Sequence, residues 1–231
     1  MVVSHGIFLL LSFFLLHTET VVIKLEEYRK TVFTPQVIFL TLVFVLSSLH
    51  WGAETVSYGP FLKDVLGLTF RQIGLYTGLG MVAVGLGAYG GTLLLNKGWV
   101  KDLQSLFGLG LLLAGVFHGL MCVPHVYWSF GFRFLHEIGD GFVLLIFYHG
   151  IAKVFHVDRI GGCAAFIALG QSVSAFGSSI LFGYVGDVFG HQWSLIISGI
   201  VLVLAVALLY VNKRGIFQVD SPVCVCSASN S

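Results

Sequence analysis

Arg133, Glu137 and Asp140 are four, three and seven residues apart. A helix through them carries all three on one face, with His136 beside them and Tyr148 two turns further on. An arginine and two acids on one face can contact a polar solute, or hold and release a proton at a carboxylate. One arginine partners one acid well, so Asp140 is the sharper candidate for reversible protonation. The structural alternative is an Arg133–Glu137 pair satisfied inside a helical bundle. His50, Glu54 and Tyr58 form a second polar stripe at one-turn intervals. It lies toward the outer end of its segment, where a binding site and an aromatic belt with a wetted Glu54 are both open.

These residues sit in a very apolar chain. Of 231 residues, 57% are hydrophobic and only 10% charged, with mean hydropathy +0.94. A soluble domain of this size would lack the polar surface to cover itself. The 12 basic and 11 acidic residues nearly balance, so nothing provides for a nucleic-acid partner. The expected partner is the lipid bilayer, and the expected fold class is an all-α membrane protein.

A bilayer-spanning helix needs about 20 mostly apolar residues. Seven segments qualify, near 3–23, 36–58, 72–95, 103–123, 128–152, 161–184 and 192–211. Pro35, Pro60, Pro124 and Pro222 all fall at or beyond segment ends, and Thr34-Pro35 reads as an N-cap with a first-turn proline. Alternate connections hold nine basic residues on one side, from Lys24 to Arg214, and only Lys63 and Arg71 on the other. The positive-inside rule therefore predicts a multi-pass protein of the cell membrane, with the N-terminus outside and the tail cytoplasmic. The first segment is kept as a span because no basic residue precedes it and no cleavage site follows.

Within this frame Asp140 lies near the bilayer middle, counting about 1.5 Å per residue. Each such charge costs roughly 2.5–3.5 kcal/mol at a helix centre, so the face must meet protein or water. Gln171 sits among Gly170, Ser172, Ser174, Ala175 and Gly177, mostly a close-packing face, and is a lesser candidate for substrate contact. His118, Cys122 and His125 lie near an outer helix end, where they could gather a metal, but solvated or capping histidines are the expectation. Neither a metal nor a cofactor is expected. Cys224 and Cys226 fall in the tail, and no disulfide framework is expected. No group of nucleophile, base and oxyanion donors is legible, so the chain is not expected to be an enzyme.

Arg133-Phe134-Leu135-His136-Glu137-Ile138-Gly139-Asp140-Gly141 resembles the R-F-L-x-G-x-G-x-G helix signature of the major facilitator superfamily of secondary transporters. Arg133, Gly139 and Gly141 match, whereas Glu137 and Asp140 depart from it. Tyr58-Gly59-Pro60-Phe61-Leu62 with Leu66-Gly67-Leu68-Thr69 resembles the family's first external loop. Thr92 to Gly98 resembles a degraded inner-loop motif, with Asn96 where the family has an acid.

The resemblance implies one six-helix half at 36–211, preceded by a transmembrane helix at 1–23 and a cytoplasmic linker at 24–35, and followed by a tail at 212–231. It implies a half-length carrier for a small-molecule solute, proton-coupled as a symporter, that works as a homodimer or with a partner supplying the missing N-terminal half. Its expected contacts are Arg133, Glu137, Asp140, Glu54, His136, Tyr58 and Gln171. The alternative is a truncated half that transports nothing and serves as a partner subunit or remnant. On the transporter reading, Asp140→Asn should abolish proton-driven uptake and leave the protein folded, as measured on reconstituted chain; persistent uptake with normal proton dependence would sink the assignment.

Overall fold

The computed structural model describes residues 29–30, 32–155, 157–211 and 217. The expected first span at 3–23, residues 24–28 of the linker and the tail (Phe217 apart), with Cys224 and Cys226, lie outside the described residues.

Among the described residues all regular structure is helical. Six long helices follow one another: α1 (Pro35–Ala53), α2 (Phe70–Asn96), α3 (Leu103–Leu120), α4 (Val126–Leu145), α5 (Val157–Phe189) and α6 (His191–Val211). Five helical stretches are long and apolar enough to cross a membrane: Pro35–Tyr58, Phe70–Asn96, Leu103–Leu120, Arg159–Phe189 and His191–Val211. α4 has the length of a span, but Arg133, Glu137 and Asp140 lower its hydropathy.

Local chemistry sets the helix ends. Thr34 caps α1 by accepting from the Val37 amide at 3.3 Å, with Pro35 in the first turn as expected. Thr69 and Gln72 form a capping box at α2, and Asp102 caps α3 through the Ser105 amide at 2.7 Å. α5 runs further than the 161–184 expected, because its polar ends at Arg159 and Asp187 are helical without being apolar. It stops at Gly190, whose φ of 99° turns the chain into α6.

α1 and α4 each pass into a π-helical turn, Glu54–Tyr58 and Ile146–Gly150 respectively. Such turns reset the helical phase and recur at functional sites.

α1 packs along α5 and α6, α4 along α2 and α3, and α3 against α6. Exchanging α1 with α4, α2 with α5 and α3 with α6 maps this set of pairings onto itself, α3–α6 staying unchanged. Directions obey the same exchange. Val45 meets Ser174 and Gly52 meets Ser179, so α1 and α5 run parallel; Gly80 meets Glu137 and Gly91 meets Leu145, so α2 and α4 do too. α1 and α4 run antiparallel, since His50 meets Asp140 while Glu54 meets Arg133.

Two apolar cores flank a polar layer. The first gathers Phe44, Phe107, Leu111, Ile146, Ile167 and Leu202, and the second Tyr58, Phe61, Leu62, Tyr76, Met121 and Leu195. α2 and α5 turn many large apolar side chains outward, including Leu75, Leu79, Val82, Val173, Phe176 and Ile180.

Glycines let α4 approach its neighbours. A Cβ on Gly141 would lie 2.3 Å from the Val84 carbonyl oxygen, and one on Gly87 would lie 2.4 Å from that of Ile138. Gly141→Ala and Gly87→Ala should each destabilise the bundle by about 1–3 kcal/mol in detergent unfolding measurements. Gly78→Ala, with open space around the added methyl, should leave stability unchanged or slightly raised.

Candidate functional site

The polar layer is built where α1, α3 and α4 meet. On α1 and the π-helical turn that follows it the layer lies between Phe44 and Tyr58, on α3 between Ala114 and Met121, and on α4 between Phe130 and Phe142. Both cores therefore shield it from the ends of the bundle.

At its centre is Arg133, only 4% exposed. Its Nη1 and Nη2 donate to Glu54 Oε1 and Oε2 at 2.5 and 3.1 Å, a two-pronged pairing that spans α4 and α1. Nη2 also pairs with Glu137, one turn along α4. The guanidinium carbon stands 4.4 Å from the centre of the Tyr58 ring, so the cation rests on an aromatic face. Glu137 fits because α2 presents Gly80 to it; a Cβ there would be 3.1 Å from the carboxylate.

Three histidines complete the layer. His136 Nε2 is 2.8 Å and His118 Nδ1 3.2 Å from Glu54 Oε1. His50 Nε2 is 3.1 Å from Asp140 Oδ2, and the Trp51 indole N–H donates to the same oxygen at 3.1 Å. His136 Nε2 also lies 3.8 Å from Asp140 Oδ2. Two sets of donor atoms have metal-ligand character: His50, His136 and Asp140, and Glu54, His118 and His136. Within each set the atoms are all within 4.8 Å of one another.

Arg133, His136, Glu137, Asp140, Glu54 and Tyr58 thus come together, although several differ from expectation. Asp140 is not an unpaired carboxylate, because His50 and Trp51 reach it from α1. Glu54 is not a wetted rim residue: its side chain is 16% exposed and clamped by Arg133. Tyr58 does not sit in an interfacial belt but is buried beneath the guanidinium. His118 is not a solvated helix-end residue; it is fully buried and bonded to Ser198. His125 does cap α4, opposite the Trp128 amide.

Gln171 stays outside the cluster. It is buried and lines a cleft of about 290 Å³ with Trp51, Val143, Phe147, Tyr148 and Ser172. Tyr148 is on this cleft's rim, 67% exposed, and not in the charged layer as its helical phase suggested. Tyr148 lies within the π-helical turn Ile146–Gly150, which breaks the 3.6-residue phase running on from Asp140. Trp51 joins the two regions, its ring on the cleft and its N–H on Asp140. Sequence reasoning missed the roles of Trp51 and His118. His50 and Trp51 precede Glu54 by four and three residues, which was the available signal for one shared face.

No protein-family model matches the chain, and no curated protein matches it.

Arg133→Met strands Glu54 and Glu137 without a cation, and should cost about 3–5 kcal/mol in unfolding free energy. Adding Glu54→Gln should recover part of that loss, and a double-mutant cycle measures the coupling.

Proposed function

We propose that the chain is a half-length secondary carrier of the major facilitator type, moving a small polar solute across a cell membrane. The observation that carries this is the buried charged layer joining α1 to α4 beside a solute-sized cleft. Such a layer is costly in a bilayer, and intramembrane ionisable groups ordinarily mark a substrate or ion pathway.

The packing supports the same reading. Two triplets of helices related by exchange, with α1 and α4 antiparallel, match the inverted three-helix repeats nested in each half of these carriers. α4 is then a sixth crossing, and with the expected N-terminal segment the total is seven. The glycines of the Arg133-to-Gly141 segment act as helix-contact residues, the part that small residues play in membrane bundles.

On this reading Trp51, Gln171 and Tyr148 meet the solute in the cleft, and the charged layer links its occupancy to the α1–α4 junction through the Trp51–Asp140 bond. The outward apolar faces of α2 and α5 border the second half, supplied by another copy of the chain or by a partner. The tail is cytoplasmic, following the basic connections.

The test uses the full chain in proteoliposomes, after its detergent-corrected mass has established a dimer. Sugars, zwitterionic amino acids and quaternary ammonium ions are offered in turn. Saturable uptake of one class is expected, weakened roughly tenfold or more in kcat/KM by Trp51→Ala or Gln171→Ala with the fold retained. A folded dimer that moves none of the three above empty vesicles would favour the non-transporting half.

A further inference from the structure

The three buried histidines share an arrangement that transport does not require. Each has one ring nitrogen committed to a structural partner. His50 Nδ1 faces the Ser47 carbonyl oxygen, and His136 Nδ1 faces that of Ala114 at 2.8 Å. Carbonyl oxygens only accept, so both nitrogens carry the proton. His118 Nε2 is 2.9 Å from Ser198 Oγ, whose own hydroxyl donates to the Leu195 carbonyl at 3.0 Å. Ser198 therefore accepts, and His118 carries its proton on Nε2.

In the neutral state, the remaining nitrogen of each ring is a bare lone pair. These are His50 Nε2, His136 Nε2 and His118 Nδ1, and each lies against a carboxylate oxygen, also a lone-pair donor. Asp140 Oδ1 is buried without a hydrogen-bond partner, and His118 Nδ1 and His136 Nε2 face only the Glu54 and Asp140 carboxylates. With the three histidines neutral and the three carboxylates ionised, Arg133 supplies one positive charge against Glu54, Glu137 and Asp140, leaving two negative charges uncompensated in the layer.

We propose that this layer binds one divalent first-row transition-metal cation, seated on His50 Nε2, His136 Nε2 and Asp140, with Glu54 and His118 adjoining it. A single such ion supplies both missing charges and gives the bare nitrogens an electron-pair acceptor. Metal-bound histidines characteristically donate their other N–H to a carbonyl or similar acceptor, the arrangement His50 and His136 already have. A tetrahedral Zn²⁺ with bonds of about 2.0–2.2 Å holds its ligands about 3.4 Å apart. The His50–Asp140 and His136–Asp140 separations of 3.1 and 3.8 Å bracket that spacing. Imidazole with a carboxylate suits zinc, iron or nickel, and not magnesium or calcium, which take oxygen ligands. This site goes beyond the carrier reading and does not depend on it.

The experiment uses the full-length chain, purified in detergent and stripped with a chelator. Zn²⁺ is titrated by calorimetry and bound metal is counted by elemental analysis. One equivalent per chain is expected, with affinity reduced at least about tenfold in His50→Ala and in Asp140→Asn, and unchanged in the exposed-cap variant His125→Ala. Removal of a buried charge can unfold the protein, so Co²⁺ gives a second readout. The wild-type chain should show the visible d–d bands of a nitrogen–oxygen site, altered or lost in His50→Ala. Absence of saturable Zn²⁺ binding to the folded wild type up to about 1 mM would overturn the site and assign its missing charge to protons. One equivalent that persists unchanged in both ligand variants would overturn it equally.

Discussion

The two-pronged bond from Arg133 to Glu54 is the constraint on which the bundle depends. There α4, too polar to be stabilised by hydropathy alone, is tied across to α1 by a guanidinium–carboxylate pair. Burying an ion pair gains little over a well-packed apolar contact, since desolvation offsets most of the attraction. What it provides is register. A helix rises about 1.5 Å per residue, so sliding α1 past α4 by one turn would carry Glu54 beyond the arginine's reach. Antiparallel crossing then sets the other contact: with Glu54 on Arg133, His50 and Trp51 arrive at Asp140.

The glycines belong to the same constraint. Hydrogen bonds of about 3 Å between side chains on three helices require backbones close enough for short side chains to meet. Gly139 supplies that on the α3 side, where a Cβ would lie 2.5 Å from the Ala114 nitrogen, and Gly141 supplies it on the α2 side. The Ala114 carbonyl, brought in by this approach, is the acceptor that orients His136. Close packing and ring orientation are thus one feature of α4 seen from two faces.

Much of this was legible in the chain itself. Spans at 36–58, 72–95, 103–123 and 192–211 coincide with helices because hydropathy, proline placement and caps agree there. The shared face of Arg133, Glu137 and Asp140 follows from helical spacing alone. Which acid the arginine takes does not, because the answer lies on another helix: Glu54 is 79 residues away in the chain. The same holds for His118, whose buried position depends on α6 packing over it and on Ser198. Tyr148 was misplaced because a π-helical turn shifts the phase, and periodicity has no means of registering one extra residue per turn.

The layer's composition also bears on how such a protein could move. Rigid-body rocking between helix triplets needs a junction with two discrete arrangements rather than a continuously deformable one. Arg133, Asp140 and the imidazoles have few acceptable partners, which restricts the α1–α4 junction to few arrangements. Breaking the Trp51–Asp140 bond would free an indole that forms one wall of the cleft and a carboxylate that faces His50. On the two proposals made above, filling the cleft and filling the charged layer are linked through the Trp51–Asp140 hydrogen bond. A ligand that holds the indole in place favours the arrangement in which Asp140 stays oriented toward His50 and His136. Were a cation held by those residues as proposed, linkage would require it to favour the ligand to the same extent.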